Sequence, residues 1–244
     1  MENKRDFNVE FADNDERKYA YDFDWKIRDY LLQRVAGYLD LDGPTLEVGA
    51  FMGDMTSQIL RLFSDLTVLE GSEALCEHLN NRFGAEIALI HSTIENASIG
   101  EKFQNIFLVH TLEHLDDPVE ALKKIGGWLT DGGKLLVAVP NAEALSRQIA
   151  VRMGLIESNR SVTPGEFEHG HRRTYSMDEL LGDVRKAGLK VVESGGVIVK
   201  PLSNSQFDKA LESEIISDEY VKACDQLARE FPNLSASIFV VLQQ

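Results

Sequence analysis

The chain has 244 residues, 43% hydrophobic and 27% charged, with a formal net charge of −15. That composition fits an ordinary globule able to bury a core. The acidic balance argues against nucleic acid and against an anionic membrane surface as partners, since both need basic protein surface.

The N-terminus, "MENKRDFNVE", has no apolar centre and is not a signal peptide. No apolar run reaches the ~18 residues of a membrane span, so a cytoplasmic location is expected. The two cysteines, Cys76 and Cys224, are far apart and offer neither a disulfide framework nor metal spacing; buried free thiols are expected. After a polar start, "YAYDFDWKIRDYLLQRVAGYL" repeats apolar residues at helical spacing: Trp25, Ile27, Tyr30, Leu31, Val35 and Leu39. "DGP" at 42–44 breaks the chain.

From Pro44 strands and helices alternate. "TLEVGA" reads as a buried strand and "DMTSQILRLF" as a helix. "LTVLEG" is a second strand, followed by the helix "SEALCEHLNNRF" with Ser72 as its N-cap. "EIALIH" and "NIFLVH" are the third and fourth strands. "DPVEALKKIGGWL" is a helix, and "DGGKLLVAVP" a turn entering a fifth strand. The rhythm changes at 143–176: a helix, "AEALSRQIAVRMG", runs into an irregular stretch ending "EFEHGHRRTYS". A helix starts near Met177, "LKVVESGGVIVK" is a strand with a Gly-Gly interruption, helices fill 206–229, and "SASIFVVLQ" is a last strand. Short apolar strands alternating with helices imply a mostly parallel sheet covered on both faces.

In such a sheet ligands bind beyond the carboxyl ends of the strands, which singles out "TLEVGAFMGDMT". Gly49 and Gly53 let backbone approach a ligand closely, but the middle glycine of a dinucleotide fingerprint is replaced by Phe51. An acid, Glu47, precedes the loop. A carboxylate there disfavours a pyrophosphate and favours an ammonium, a description that S-adenosylmethionine fits. A second acid, Glu70, ends strand two, where a carboxylate can accept both ribose hydroxyls.

With these residues the chain resembles the class I S-adenosylmethionine-dependent methyltransferases, over nearly its whole length. "LEVGAFMGDMT" resembles their first motif, "VLEGSE" their second strand, and "IFLVHTLEHLDDPVEALKKIGGWLTDGGKLLVAVPN" the fourth strand to fifth strand of the small-molecule branch. Phe51 departs from the glycine many members carry. The resemblance implies a single Rossmann-like α/β domain over 1–244. Its sheet is open, mostly parallel and seven-stranded, with helices on both faces and one antiparallel edge strand. An N-terminal helical cap at about 15–41 and a substrate-side insert at about 143–176 complete it. Glu47, Gly49, Phe51 and Gly53 would then line the methionine moiety, Glu70 the ribose, Gly71 and Ser72 the adenosine, and Thr93, Ile94 and Glu95 the adenine. His110 would sit near the methionine, and Tyr19, Tyr21 and Trp25 would close over the cofactor.

Methyl transfer from a sulfonium is an in-line displacement, so the protein mainly positions donor and acceptor. A hydroxyl acceptor also needs a base. His114, His169 and His171 are the candidates, and Arg172, Arg173 and Tyr175 are candidates to grip an anionic acceptor. No metal is expected, because the His169–His171 pair lacks a compelling third ligand. The expected reaction is methyl transfer to a hydroxyl of a small molecule such as a sugar or nucleotide-linked sugar. An N-methyltransferase of an amine-bearing metabolite is the next reading. A non-catalytic S-adenosylmethionine-binding scaffold and an NAD-dependent oxidoreductase are the rivals from other classes.

Overall fold

The computed structural model describes residues 22–244. Its strands are β1 (Thr45–Val48), β2 (Leu66–Glu70), β3 (Ala88–His91), β4 (Phe103–Val109), β5 (Leu129–Pro140), β6 (Lys190–Val199) and β7 (Ser235–Gln243). They form one seven-stranded sheet in the order β3-β2-β1-β4-β5-β7-β6. β1 to β5 pair in parallel. β7 runs antiparallel to both β5 and β6. The single antiparallel strand is thus β7, one place in from the edge, with β6 outside it.

The helices are α1 (Asp22–Val35), α2 (Asp54–Ile59), α3 (Glu73–Phe83), α4 (Pro118–Gly126), α5 (Leu145–Arg152), α6 (Pro164–Glu168), α7 (Met177–Lys186), α8 (Asn204–Glu212) and α9 (Asp218–Glu230). Strand alternation divides the apolar residues between two cores. On β4, Ile106 and Leu108 join Leu46, Val48 and α4 on one face. Phe107 and Val109 join α1, Met55 and Ile59 of α2, and Phe207 of α8 on the other. Local chemistry sets the helix starts. Ser72 caps α3 by accepting from the Leu75 N–H, and Asp117 caps α4 by accepting from the Glu120 N–H, with Pro118 next in the chain.

Two sequence readings are corrected. In α1 the core face is Phe23, Ile27, Leu31, Leu32 and Val35, whereas Trp25 is 38% exposed. The Gly195-Gly196 pair does not interrupt β6; it is there for packing. A Cβ on Gly196 would stand 2.1 Å from Ser235 Oγ and 2.7 Å from the Pro232 carbonyl, and one on Gly195 2.9 Å from the Phe239 ring. The two cysteines are buried free thiols, as expected. No helix of the described residues is long and apolar enough to cross a membrane.

The sheet order reverses at β1, which lies between β2 and β4. The chain moves outward through β2 and β3, then returns to β4 on the other side, and the loops after β1 and β4 diverge there to leave a crevice. The insert after β5 closes over this end. Its two ends are tied together by a bridge between Asn141 and Tyr175 and by the Ala142 N–H donating to the Tyr175 carbonyl at 2.7 Å.

Candidate active site

A cavity of about 980 Å³ opens at the crevice. One end is lined by the loops after β1 and β2 together with Thr93 and Ile94; the other by His114, His169, His171 and the apolar face of α5.

The first end is organised by Glu70. Its carboxylate is 6% exposed and accepts four backbone N–H bonds. Ala50 and Phe51 donate to Oε2, both at 3.1 Å, and Gly71 and Ser72 donate to Oε1 at 2.8 and 3.0 Å. A carboxylate has about four acceptor positions, and here all of them are used on the two loops. Phe51 answers the sequence question of the missing glycine by adopting a left-handed backbone itself, with φ of 50°. Gly49 is left-handed at φ +77°, and a Cβ there would lie 2.8 Å from the Thr111 side chain. That glycine is needed both for its conformation and for its contact with the turn after β4.

Several expected residues sit elsewhere. Glu47 does not line the cavity: it is 2% exposed, buried under the loop, and accepts from Thr56 Oγ1 at 2.6 Å. Burial pushes its carboxyl up to about 8, against the opposing Thr56 hydrogen bond and the charge of Arg28. Gly53 faces the Phe83 and Leu79 side chains of α3, and Ser72 is occupied as the α3 cap. Tyr19 and Tyr21 lie outside the described residues. Gly71, Thr93, Ile94, Glu95 and His110 line the cavity. His110 has φ of 52°, and its Nε2 lies 3.0 Å from Ser237 Oγ. Burial, then Arg28 and His171, lower its pKa to about 3, so it is a neutral imidazole at neutral pH and a poor proton acceptor.

The second end is assembled by two segments far apart in sequence. The Arg172 N–H donates to the Glu113 carbonyl at 3.0 Å and its Nε to the His114 carbonyl at 3.1 Å. Its guanidinium pairs with Asp116 at 2.7 Å. Arg173 donates to the carbonyls of Leu115 and Asp116 at 2.7 and 3.0 Å. Tyr175 is 2% exposed and donates to Asp183 Oδ2 at 3.2 Å. None of these three expected grip residues lines the cavity. Arg172 and Arg173 instead fasten the insert to the turn after β4. The fastening brings the His114 and His171 rings to 4.6 Å between centroids, at 76°. His169 lines the same cavity.

Sequence reasoning missed two residues. Arg28, on α1, lines the cavity beside the loop after β1, and its charge acts on both Glu47 and His110. Glu113, in the turn after β4, is 1% exposed, lines the cavity, and neither carboxylate oxygen has a hydrogen-bond partner among the described residues. Burial pushes its carboxyl up to about 8. The signal for Glu113 was its place beside His114 in "TLEHL"; nothing in α1 marked Arg28 off from a solvated face.

These residues suit S-adenosylmethionine: the Arg28 cation for its carboxylate, a left-handed loop that offers backbone, and apolar lining from Leu69, Leu75 and Ile94 for the adenine. A family model described as a methyltransferase domain matches residues 17–194. A ubiquinone biosynthesis O-methyltransferase from Ruegeria pomeroyi is 26% identical over 208 residues, covering 80% of this chain and 82% of that protein. One from Roseobacter denitrificans is 24% identical over the same shares. Among solved structures, an S-adenosylmethionine-dependent methyltransferase of Thermotoga maritima, a possible histamine N-methyltransferase, has a TM-score of 0.64 at 21% identity, covering 96% of this chain and 95% of its own. An S-adenosylmethionine-dependent methyltransferase of Clostridium acetobutylicum has a TM-score of 0.58 at 13% identity, with 96% of each chain covered. The chain belongs to the methyltransferase-domain family and is a class I S-adenosylmethionine-dependent methyltransferase.

Proposed function

We propose that this enzyme methylates a hydroxyl of a small, largely apolar molecule. The observation that carries the reading is the acceptor end of the cavity. Two histidines stand there beside a wall of Ile149, Ala150, Met153, Leu155 and Ile156. Imidazoles suit a hydroxyl, which must lose a proton, and the apolar wall suits a ring or chain more than a sugar. The similarity to proteins named O-methyltransferases supports the same chemistry. A sugar or nucleotide-linked sugar is the second reading, favoured by Lys200, Ser203, Asn204 and Gln206, which line the same cavity.

Bound S-adenosylmethionine supplies an electrophilic methyl group on a sulfonium. Arg28 would pair with its carboxylate, and the loop at 49–51 would hold the methionine chain. Thr93 and Ile94 flank the adenine. The four N–H bonds to Glu70 hold the loops after β1 and β2 in one arrangement. A ribose hydroxyl reaches that carboxylate only by exchanging with one of them, so ribose capture and loop position are coupled. The acceptor lies between the α5 wall and the His114–His171 pair, where an imidazole nitrogen receives the hydroxyl proton. The bound donor would supply the methyl group to an acceptor oxygen held in line with it, the C–S electron pair staying on sulfur, so these residues act by holding and orienting the two partners.

The test uses methyl-labelled S-adenosylmethionine with a panel of alkyl-substituted phenols, nucleotide sugars and primary amines. Label on the phenols, at least about tenfold faster than on the others, is expected. Transfer to the amines, or to none of the panel despite cofactor binding, contradicts the reading.

A further inference from the structure

We propose that Glu113, His114 and His171 form a site for one divalent cation of the zinc type, open toward the acceptor end of the cavity. The sequence offers an H-x-H pair, His169 and His171, with no third ligand. The structure brings a different trio together: one ligand atom from each of Glu113, His114 and His171 lies within 4.8 Å of the other two. Glu113 Oε1 is 3.9 Å from His114 Nε2. Ligands bound at ~2.0–2.1 Å in tetrahedral array stand roughly 3.4 Å apart, so side-chain rotations of about an ångström would close the site.

An independent observation points to a ligand. Glu113 is 1% exposed, faces the cavity, and leaves both carboxylate oxygens without a hydrogen-bond partner among the described residues. A buried carboxylate of that kind needs charge and bonds supplied from outside itself. A divalent cation supplies both. Two imidazoles and one carboxylate form a borderline donor set that selects zinc-like ions over magnesium or calcium, and three protein ligands leave a fourth position open. The donors are held in advance, because Arg172 and Arg173 lock the 171–173 segment to the 113–116 turn.

The site deepens the O-methyl transfer reading and rests on it for its use. With the ion bound, His114 and His171 serve as its ligands in place of the base role: an acceptor hydroxyl on the cation would give its proton to water, the oxygen would form its bond to the methyl carbon, and the C–S bond electrons would remain on sulfur.

The experiment loads the full chain with Co²⁺ and with Zn²⁺, at neutral pH, and follows the visible cobalt spectrum and the ion affinity. S-adenosylmethionine is titrated into the same samples by calorimetry. One ion per chain is expected, with the visible bands of a four-coordinate cobalt site. Glu113→Gln and His171→Ala should each weaken Zn²⁺ by at least about tenfold, while His169→Ala leaves the affinity unchanged. The cobalt spectrum of the unmodified chain stands as the test if a variant does not fold. Absence of the bands, or Glu113→Gln binding Zn²⁺ as well as the parent, overturns the site. S-adenosylmethionine binding without ion binding sinks this inference alone; loss of cofactor binding in the unmodified chain sinks the functional reading first.

Discussion

The two ends of the cavity are built on different principles. At the cofactor end the loops that leave the sheet are held by the sheet itself, and α1 adds Arg28. Glu70, the last residue of β2, holds loops whose strands are hydrogen-bonded neighbours. At the acceptor end the partner segments, the insert and the turn after β4, lie far apart in sequence. The insert is pinned to the turn after β4 by Arg172 and Arg173, which bond mostly to backbone carbonyls. A site made by the sheet inherits the rigidity of the core. A site made by a docked insert can change its chemistry while the sheet stays as it is.

Breaking the first end should cost most. Gly49→Val introduces a β-branched residue at φ +77°, against Thr111, and should abolish measurable S-adenosylmethionine binding by calorimetry. Retained affinity would mean the loop is not the cofactor's seat. Glu70→Ala frees four backbone N–H groups and should weaken the cofactor by roughly 2–3 kcal/mol.

Glu47 sharpens the comparison through stability. Its carboxyl is raised to about 8 by burial, so in this range the folded state holds a proton that the unfolded state releases. The stability tied to that proton is complete below the ordinary value of 4.5 and is lost as pH rises toward 8. Glu47→Gln should therefore flatten the fall in unfolding free energy between those limits, a fall on the order of 5 kcal/mol across the window. Denaturant titrations at several pH values check it, and parallel curves for parent and variant would show that Glu47 is ionised in the fold.

Smaller effects are expected at the second end. Arg173→Ala removes two bonds to the 115–116 carbonyls. It should lower turnover of an identified acceptor about tenfold, with cofactor affinity within about twofold. A matched loss of cofactor affinity would erase the division between the two ends.

The difference also explains what the sequence revealed. β1, β2 and β4 and the loops after them were legible because short continuous apolar runs bounded by polar or turn residues mark strands buried on both faces. Glu70 was found that way, although its bonds to the loop backbone were not. Glu47 was misplaced because strand alternation does not say which face holds the ligand. Arg172 and Arg173 looked like substrate grips because their partners, the carbonyls of residues 114–116, carry no side-chain signature. Glu113 was missed because only the fold brings His171, far along the chain, to the turn that carries Glu113 and His114.

The most direct test of the division is equilibrium titration of S-adenosylmethionine into Arg28→Ala and His171→Ala beside the unmodified chain. Arg28→Ala should weaken binding by about ten- to thirtyfold, the loss of one charged pair, and His171→Ala should leave it within about twofold. Equal loss in both variants, or loss in His171→Ala alone, would contradict the account.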